Sequence, residues 1–182
     1  MQILSTIKSK STALNELMVV LGGVMLLFAA SQVEIPLKPV PITLQSVAVM
    51  LIGLTYTPRR ALESLMIWLG LAAAGFPVLN GFAGGLTHFT GPTLGYLVGF
   101  VISPYLMAML KEKFSLNSWI SDALLCLMGT IILFSCGVTW LSYLIGFSNA
   151  FMSGVVPFIL PGIIKAGLLC TTLQILRHYK RG

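Results

Sequence analysis

The sequence predicts an all-α integral membrane protein of six transmembrane helices in a single membrane domain, residues 1–182. Three observations carry this. Hydrophobic residues make up 57% of the chain and charged residues only 9%, where a soluble domain carries about 25% charged residues. Apolar segments recur at lengths close to a bilayer crossing, about 14–31, 42–56, 61–74, 93–110, 119–146 and 155–176. The basic residues stand at the ends of those segments, as membrane topology requires.

Residues 1–12 are polar and basic, and the first span follows from Leu14 to Ser31. Lys8 and Lys10 ahead of an apolar run ending in Ala29, Ala30 and Ser31 imitate a secretory signal. The further spans favour a retained first helix. Glu16 is expected in its first turn, where a negative charge suits the helix dipole. Gly22 and Gly23 would let another helix approach closely, simple tolerance of glycine being the alternative.

Gln32 to Pro41, QVEIPLKPVP, is a loop whose prolines stop the helix and favour extended backbone. In span 2, from Ile42 to Tyr56, Thr43 and Gln45 stand near the loop. An amide in an apolar span needs a partner. For Gln45 that is either another helix or a ligand. Thr57, Pro58, Arg59 and Arg60 read as a tight basic turn before span 3. Both spans are short for a hydrocarbon core of about 30 Å. Glu63, one turn from the basic corner, is expected to pair there or reach water, a partner contact being the alternative.

Ala74 to Gly99, AGFPVLNGFAGGLTHFTGPTLGYLVG, organises the rest. It carries no charged side chain, and its glycines and prolines break helical continuity. Asn80, Thr87, His88, Thr90, Thr93 and Tyr96 supply hydrogen-bonding groups. Irregular backbone beside membrane helices is tolerated where it is buried in protein or lines a cavity. The stretch reads as a loop folded back over a binding cavity, or else as an ordinary extracytoplasmic loop.

Span 4 carries Pro104, a candidate kink, and closes on Lys111, Glu112 and Lys113. Span 5 has Asp122 near its start, expected to face water or the helix N-terminus. Phe147 to Gly154 reads as an uncharged loop. Span 6 has Pro157 and Pro161 in its first turns. Lys8, Lys10, Arg59, Arg60, Lys111, Lys113, Arg177, Lys180 and Arg181 fall on the side of the termini, and Lys38 alone on the other. This places both termini in the cytoplasm and the loops 32–41 and 75–91 outside.

Several classes are excluded. The net charge of +6 is spread over span ends, without the aromatic-interleaved stripe of a nucleic-acid binder. Neither a GxxxxGK[ST] nor a GxGxxG motif occurs, so the chain does not itself hydrolyse ATP. Cys126, Cys136 and Cys170 lie in apolar segments without metal-ligand spacing and read as small buried hydrophobes. No nucleophile, base or metal set marks an enzyme, and no cofactor is expected.

Lys165 lies about ten residues into the last span, within ILPGIIKAGLLC. A lysine near a helix centre costs about 2.5–3.5 kcal/mol and is by default functional. Its partner is read as a ligand carboxylate, or as Glu34 or backbone carbonyls. Thr43, Gln45, Asn80, Tyr96 and Lys165 together describe an outer cavity for a small, amphipathic anion.

SQVEIPLKPVPITLQSVAVMLIGL, TPRRA, GFPVLNGFAGG and GPTLGYLVGF, in this order, resemble the BioY family of biotin-binding S components of energy-coupling-factor transporters. The resemblance is close over 28–102 and looser in the last span. It implies the six-helix S-component fold, biotin capture from outside, and a T component with two ATPase subunits as partners. Working alone or as a homo-oligomer is the open alternative. Biotin would bind through Thr43, Gln45, Asn80, Thr93, Tyr96 and Lys165, with Gln45 and Asn80 holding the ureido ring and Thr93 and Tyr96 lining the wall. The family's last span usually reads PFxPGDxxK. Its lysine falls on Lys165, but its aspartate falls on Gly162. That departure raises a second reading, an S component for another vitamin or acid. A scaffold using polar groups only for packing is a third. His88 acquires no role from the resemblance. Gly22, Gly23, Ala29 and Ala30 only partly echo the small-residue face expected to dock the T component.

Overall fold

The computed structural model describes the backbone of residues 2–179 and the side chains of residues 13–179. The side chains of Lys8, Lys10, Lys180 and Arg181 lie outside the described residues. Six long helices form the bundle: α1 (Gln2–Ser31), α2 (Gln45–Thr55), α3 (Pro58–Ala73), α4 (Leu94–Lys113), α5 (Trp119–Ile145) and α7 (Val156–Tyr179). A short helix, α6 (Phe147–Gly154), links the last two. Two-residue strands β1 (Glu34–Ile35) and β2 (Ile42–Thr43) pair antiparallel between α1 and α2.

Among the described residues, four stretches are long and apolar enough to cross a membrane: Ala13–Ser31, Leu94–Lys113, Trp119–Ile145 and Phe147–Tyr179. The bundle's outer surface is correspondingly apolar, with Leu14, Met18 and Met25 on α1 and Ile163, Ile164 and Leu168 on α7 exposed. The 11-residue α2 and 16-residue α3 are shorter. At 1.5 Å per residue they reach only about 16 and 24 Å. Irregular backbone makes up the remaining depth on their side of the bundle.

Close helix contacts need small residues, and the sequence supplies them. Gly95 and Gly99 on α4 form a G-x-x-x-G pair against α5. A Cβ on Gly95 would lie 2.4 Å from the Cys136 carbonyl oxygen. Across the same seam, a Cβ on Gly137 would lie 2.3 Å from the Tyr96 ring. Between α1 and α3 only one of the two glycines singled out is needed. A Cβ on Gly23 would clash with Ser64 Oγ at 2.6 Å, whereas Gly22 meets only the Tyr56 hydroxyl, at 3.9 Å.

The structure corrects several expectations at the end of the bundle that carries the termini. Since α1 starts at Gln2, Glu16 is not in its first turn. It instead takes the Arg60 guanidinium in a two-pronged pair. Arg59 and Arg60 are not in a turn but in the first turn of α3, which Thr57 caps with Pro58 at its start. Glu63 pairs with Arg59 at 2.7 Å. Of the two places expected for Asp122, it takes the first turn of α5 and does not face water. It is fully buried, 2.7 Å from Lys111 Nζ and 2.6 Å from Arg177 Nη1. The Lys111 contact is a hydrogen bond; the Arg177 contact is an ion pair without hydrogen-bond alignment. The ends of α4 and α7 converge on this one carboxylate because two cations in apolar surroundings require a counter-charge.

At the opposite end, span 2 begins later than expected. Ile42 and Thr43 belong to β2, and α2 starts at Gln45. Pro104 lies within α4, which the structure draws as one helix. Phe147 to Gly154 is a helix rather than a loop. Gly146, at φ +80°, ends α5 and admits the change of direction.

Candidate ligand-binding site

The polar segment after α3 does not run free. It forms two 3-10 turns, Asn80–Phe82 and Leu86–Phe89, laid across the end of the bundle. Several of its backbone groups bond side chains from two helices and from the residue just past α1. Trp68 Nε1 on α3 donates to the Val78 carbonyl at 3.1 Å, and Trp140 Nε1 on α5 donates to the Gly91 carbonyl at 2.9 Å. Gln32, just past α1, donates to the Leu79 carbonyl at 3.0 Å and accepts from the Phe82 N–H at 3.0 Å. Gly84 is needed for steric reasons, since a Cβ there would lie 2.2 Å from the Phe76 carbonyl oxygen.

Beneath this segment lies a cavity that opens to the surface. All six residues predicted from the sequence, Thr43, Gln45, Asn80, Thr93, Tyr96 and Lys165, line it. The apolar wall includes Val40, Met50, Leu97, Phe100 and Leu133. Tyr96, Phe134 and Phe158 stand edge to face in a row, with centroids 6.4 and 5.8 Å apart. Sequence reading did not single out Ser46, Thr130, Phe134 or Phe158, because nothing in an apolar helix tells an inward phenylalanine from a lipid-facing one.

The cavity's polar groups divide into engaged and uncommitted. Thr43 Oγ1 donates to Gln45 Oε1 at 3.1 Å, Gln45 Nε2 donates to Ser31 Oγ at 2.7 Å, and Ser31 Oγ donates to the Leu27 carbonyl at 2.6 Å. This chain joins β2, α2 and α1, and Gln45 is a buried part of it. Of the two partners open to Gln45 from the sequence, the structure supplies the other helix. The Tyr96 hydroxyl donates to the Gly154 carbonyl at 2.9 Å, tying α4 to α6. Among the described residues, the side chains of Ser46, Asn80, His88 and Thr93 make no hydrogen bond, although all four line the cavity.

Lys165 is half-buried, and its Nζ donates to the Thr43 carbonyl at 2.7 Å. One of the three expected kinds of partner, a backbone carbonyl, therefore holds it, leaving two of its three N–H donors. Glu34 makes no ion pair with it: the described pairs involve Glu16, Glu63 and Asp122. Glu34 Oε1 instead lies 3.7 Å from where a Gly81 Cβ would stand. Among the described residues, no acidic side chain lines the cavity. Gly162 lines it with no atom within 4 Å of a built Cβ, so the space of the family's aspartate is open. Among the described residues no three His, Cys, Asp or Glu side chains gather as a metal site. One cation, uncommitted neutral polar groups and an aromatic wall can hold a small amphipathic acid.

The comparisons with known proteins agree with this architecture. The BioY family model matches residues 5–181. A probable biotin transporter BioY from Rickettsia prowazekii is 33% identical over 95% of this chain and 89% of its own length. One from Pyrococcus horikoshii is 37% identical over 87% of this chain and 91% of its own. The crystal structure of the S-component for biotin from an ECF-type ABC transporter superposes with a TM-score of 0.77 at 29% identity, covering 94% of this chain and 93% of that one. The six-helix S-component fold is thereby shown, and these relatives are transporters rather than enzymes. A family model spanning nearly the whole chain, relatives matched over most of their length and a shared fold together place this chain in the BioY family.

Proposed function

We propose that this chain is the biotin-binding membrane subunit of an uptake system. It sits in the cell membrane with both termini cytoplasmic and binds biotin from outside. The relatives' names and the S-component neighbour support the ligand and the transport role. A T component and two ATPase subunits supply the energy in this reading, since the chain carries no nucleotide-binding motif. The concentration of Lys and Arg at the termini's end of the bundle supports the orientation.

The observation that carries the ligand assignment is Lys165: an intramembrane cation lining an otherwise neutral, largely apolar cavity. Biotin's valerate carboxylate matches that cation, its ureido ring matches the uncommitted amide-type groups, and its thioether ring matches the aromatic wall. The test is Lys165→Ala, titrated with biotin and with uncharged biotin amide. A charge-assisted hydrogen bond contributes about 1.5–3 kcal/mol, so biotin should weaken by roughly 10- to 150-fold and the amide far less. Equal losses for both ligands contradict the assignment. The open space at Gly162 favours one second reading, a different small acid held in the same cavity.

A further inference from the structure

His88 is the polar residue of the cavity that the function has not absorbed. It lines the cavity from the second 3-10 turn, and among the described residues its ring makes no hydrogen bond. That turn packs on α3, whereas α7, which carries Lys165, packs on α2, α5 and α6. His88 and Lys165 therefore face the cavity from different walls. An elongated ligand with its acid at Lys165 presents its other end to the wall formed by Asn80 and His88.

A ureido ring has one carbonyl acceptor and two N–H donors, so it needs two acceptors from the protein. A carboxylate would be the strongest, but among the described residues no acid lines this cavity. Thr43, Gln45 and Tyr96 are engaged in holding the helices together. The Ser46 and Thr93 hydroxyls can both donate and accept, Asn80 offers one amide oxygen, and a neutral imidazole offers one unprotonated nitrogen. We propose that His88 accepts a hydrogen bond from a ureido N–H of the bound ligand, at the wall of the cavity away from Lys165. The proposal rests on the biotin reading and assigns His88 a specificity-determining contact within it.

The test uses the full chain in detergent, stripped of ligand, with three probes: biotin, biotin amide, and biotin methylated on its ureido nitrogens. His88→Leu should weaken biotin and biotin amide alike by about tenfold, one hydrogen bond, and leave the methylated probe's affinity unchanged. His88→Gln, which restores an acceptor, should recover most of the loss. Unchanged biotin binding in His88→Leu overturns the proposal, as does a loss confined to biotin and absent with the amide, which would put His88 at the carboxylate. A second readout needs no variant. The chain has only two histidines, His88 and His178, so ring-¹⁵N labelling gives two resolvable imidazoles. Biotin should shift the unprotonated nitrogen of His88 and the methylated probe should not; a signal that biotin leaves unmoved overturns the proposal even if the variants do not fold. Wild-type protein that fails to bind biotin removes the functional reading and this one together. Wild-type protein that binds biotin with His88 unperturbed removes only this one.

Discussion

Replacing Asp122 with Asn removes the one negative charge between Lys111 and Arg177. The carboxylate is fully buried, while the two cations keep 14% and 23% of their side-chain exposure. Breaking a buried pair by removing one partner costs about 3–5 kcal/mol, because the charge left behind is uncompensated. Here both cations can turn partly toward solvent, so the lower end, about 3 kcal/mol, is the expected cost. A chain of this size loses roughly 2–4 °C of melting temperature per kcal/mol, which predicts a drop of about 6–12 °C. The assay is thermal unfolding in detergent at fixed scan rate, since membrane proteins commonly unfold irreversibly. The triad lies at the end of α7 away from the cavity, twelve residues beyond Lys165. Biotin affinity of the protein that remains folded should therefore change less than about threefold. Asp122→Asn protein that melts with the wild type would refute the reasoning.

Two further outcomes follow from the cavity. Gly162→Asp should fit without displacing any atom, since a Cβ there meets nothing within 4 Å; placed one turn before Lys165, its carboxylate should compete with the ligand's and weaken biotin about tenfold. Titration should show that loss relieved on acidification and absent with biotin amide, and unchanged binding of both would put residue 162 outside the pocket. Tyr96→Phe should cost about 1 kcal/mol of stability through the bond to the Gly154 carbonyl. It should leave biotin affinity within about threefold; a tenfold loss of affinity at unchanged melting temperature would mean that the hydroxyl serves the ligand.

Much of this was legible in the sequence because a bilayer leaves the backbone few options. Apolar length marked the spans, and the prolines and glycines between Gln32 and Gly91 marked where helices stop. The cavity residues stood out for the same reason: Lys165, Gln45 and Asn80 are expensive in apolar surroundings unless something meets them. What meets them was not legible. Gln45 carries no mark of Ser31 as its partner, fourteen residues earlier, and Lys165 none of the Thr43 carbonyl. Asp122 looked like a solvent-facing first-turn acid because the convergence of Lys111 and Arg177 is a tertiary fact. Phe147 to Gly154 read as an uncharged loop between two spans. It is held helical by packing that composition does not show: the stack of Phe147 on Phe151 and the capture of the Gly154 carbonyl by Tyr96.

The most direct measurement is isothermal titration of the purified, detergent-solubilised chain, stripped of endogenous ligand, with biotin and with thiamine and riboflavin as controls. Saturable binding of biotin alone is the predicted result. Folded, stripped protein that does not bind biotin would contradict it and make the open space at Gly162 the leading guide to another acid.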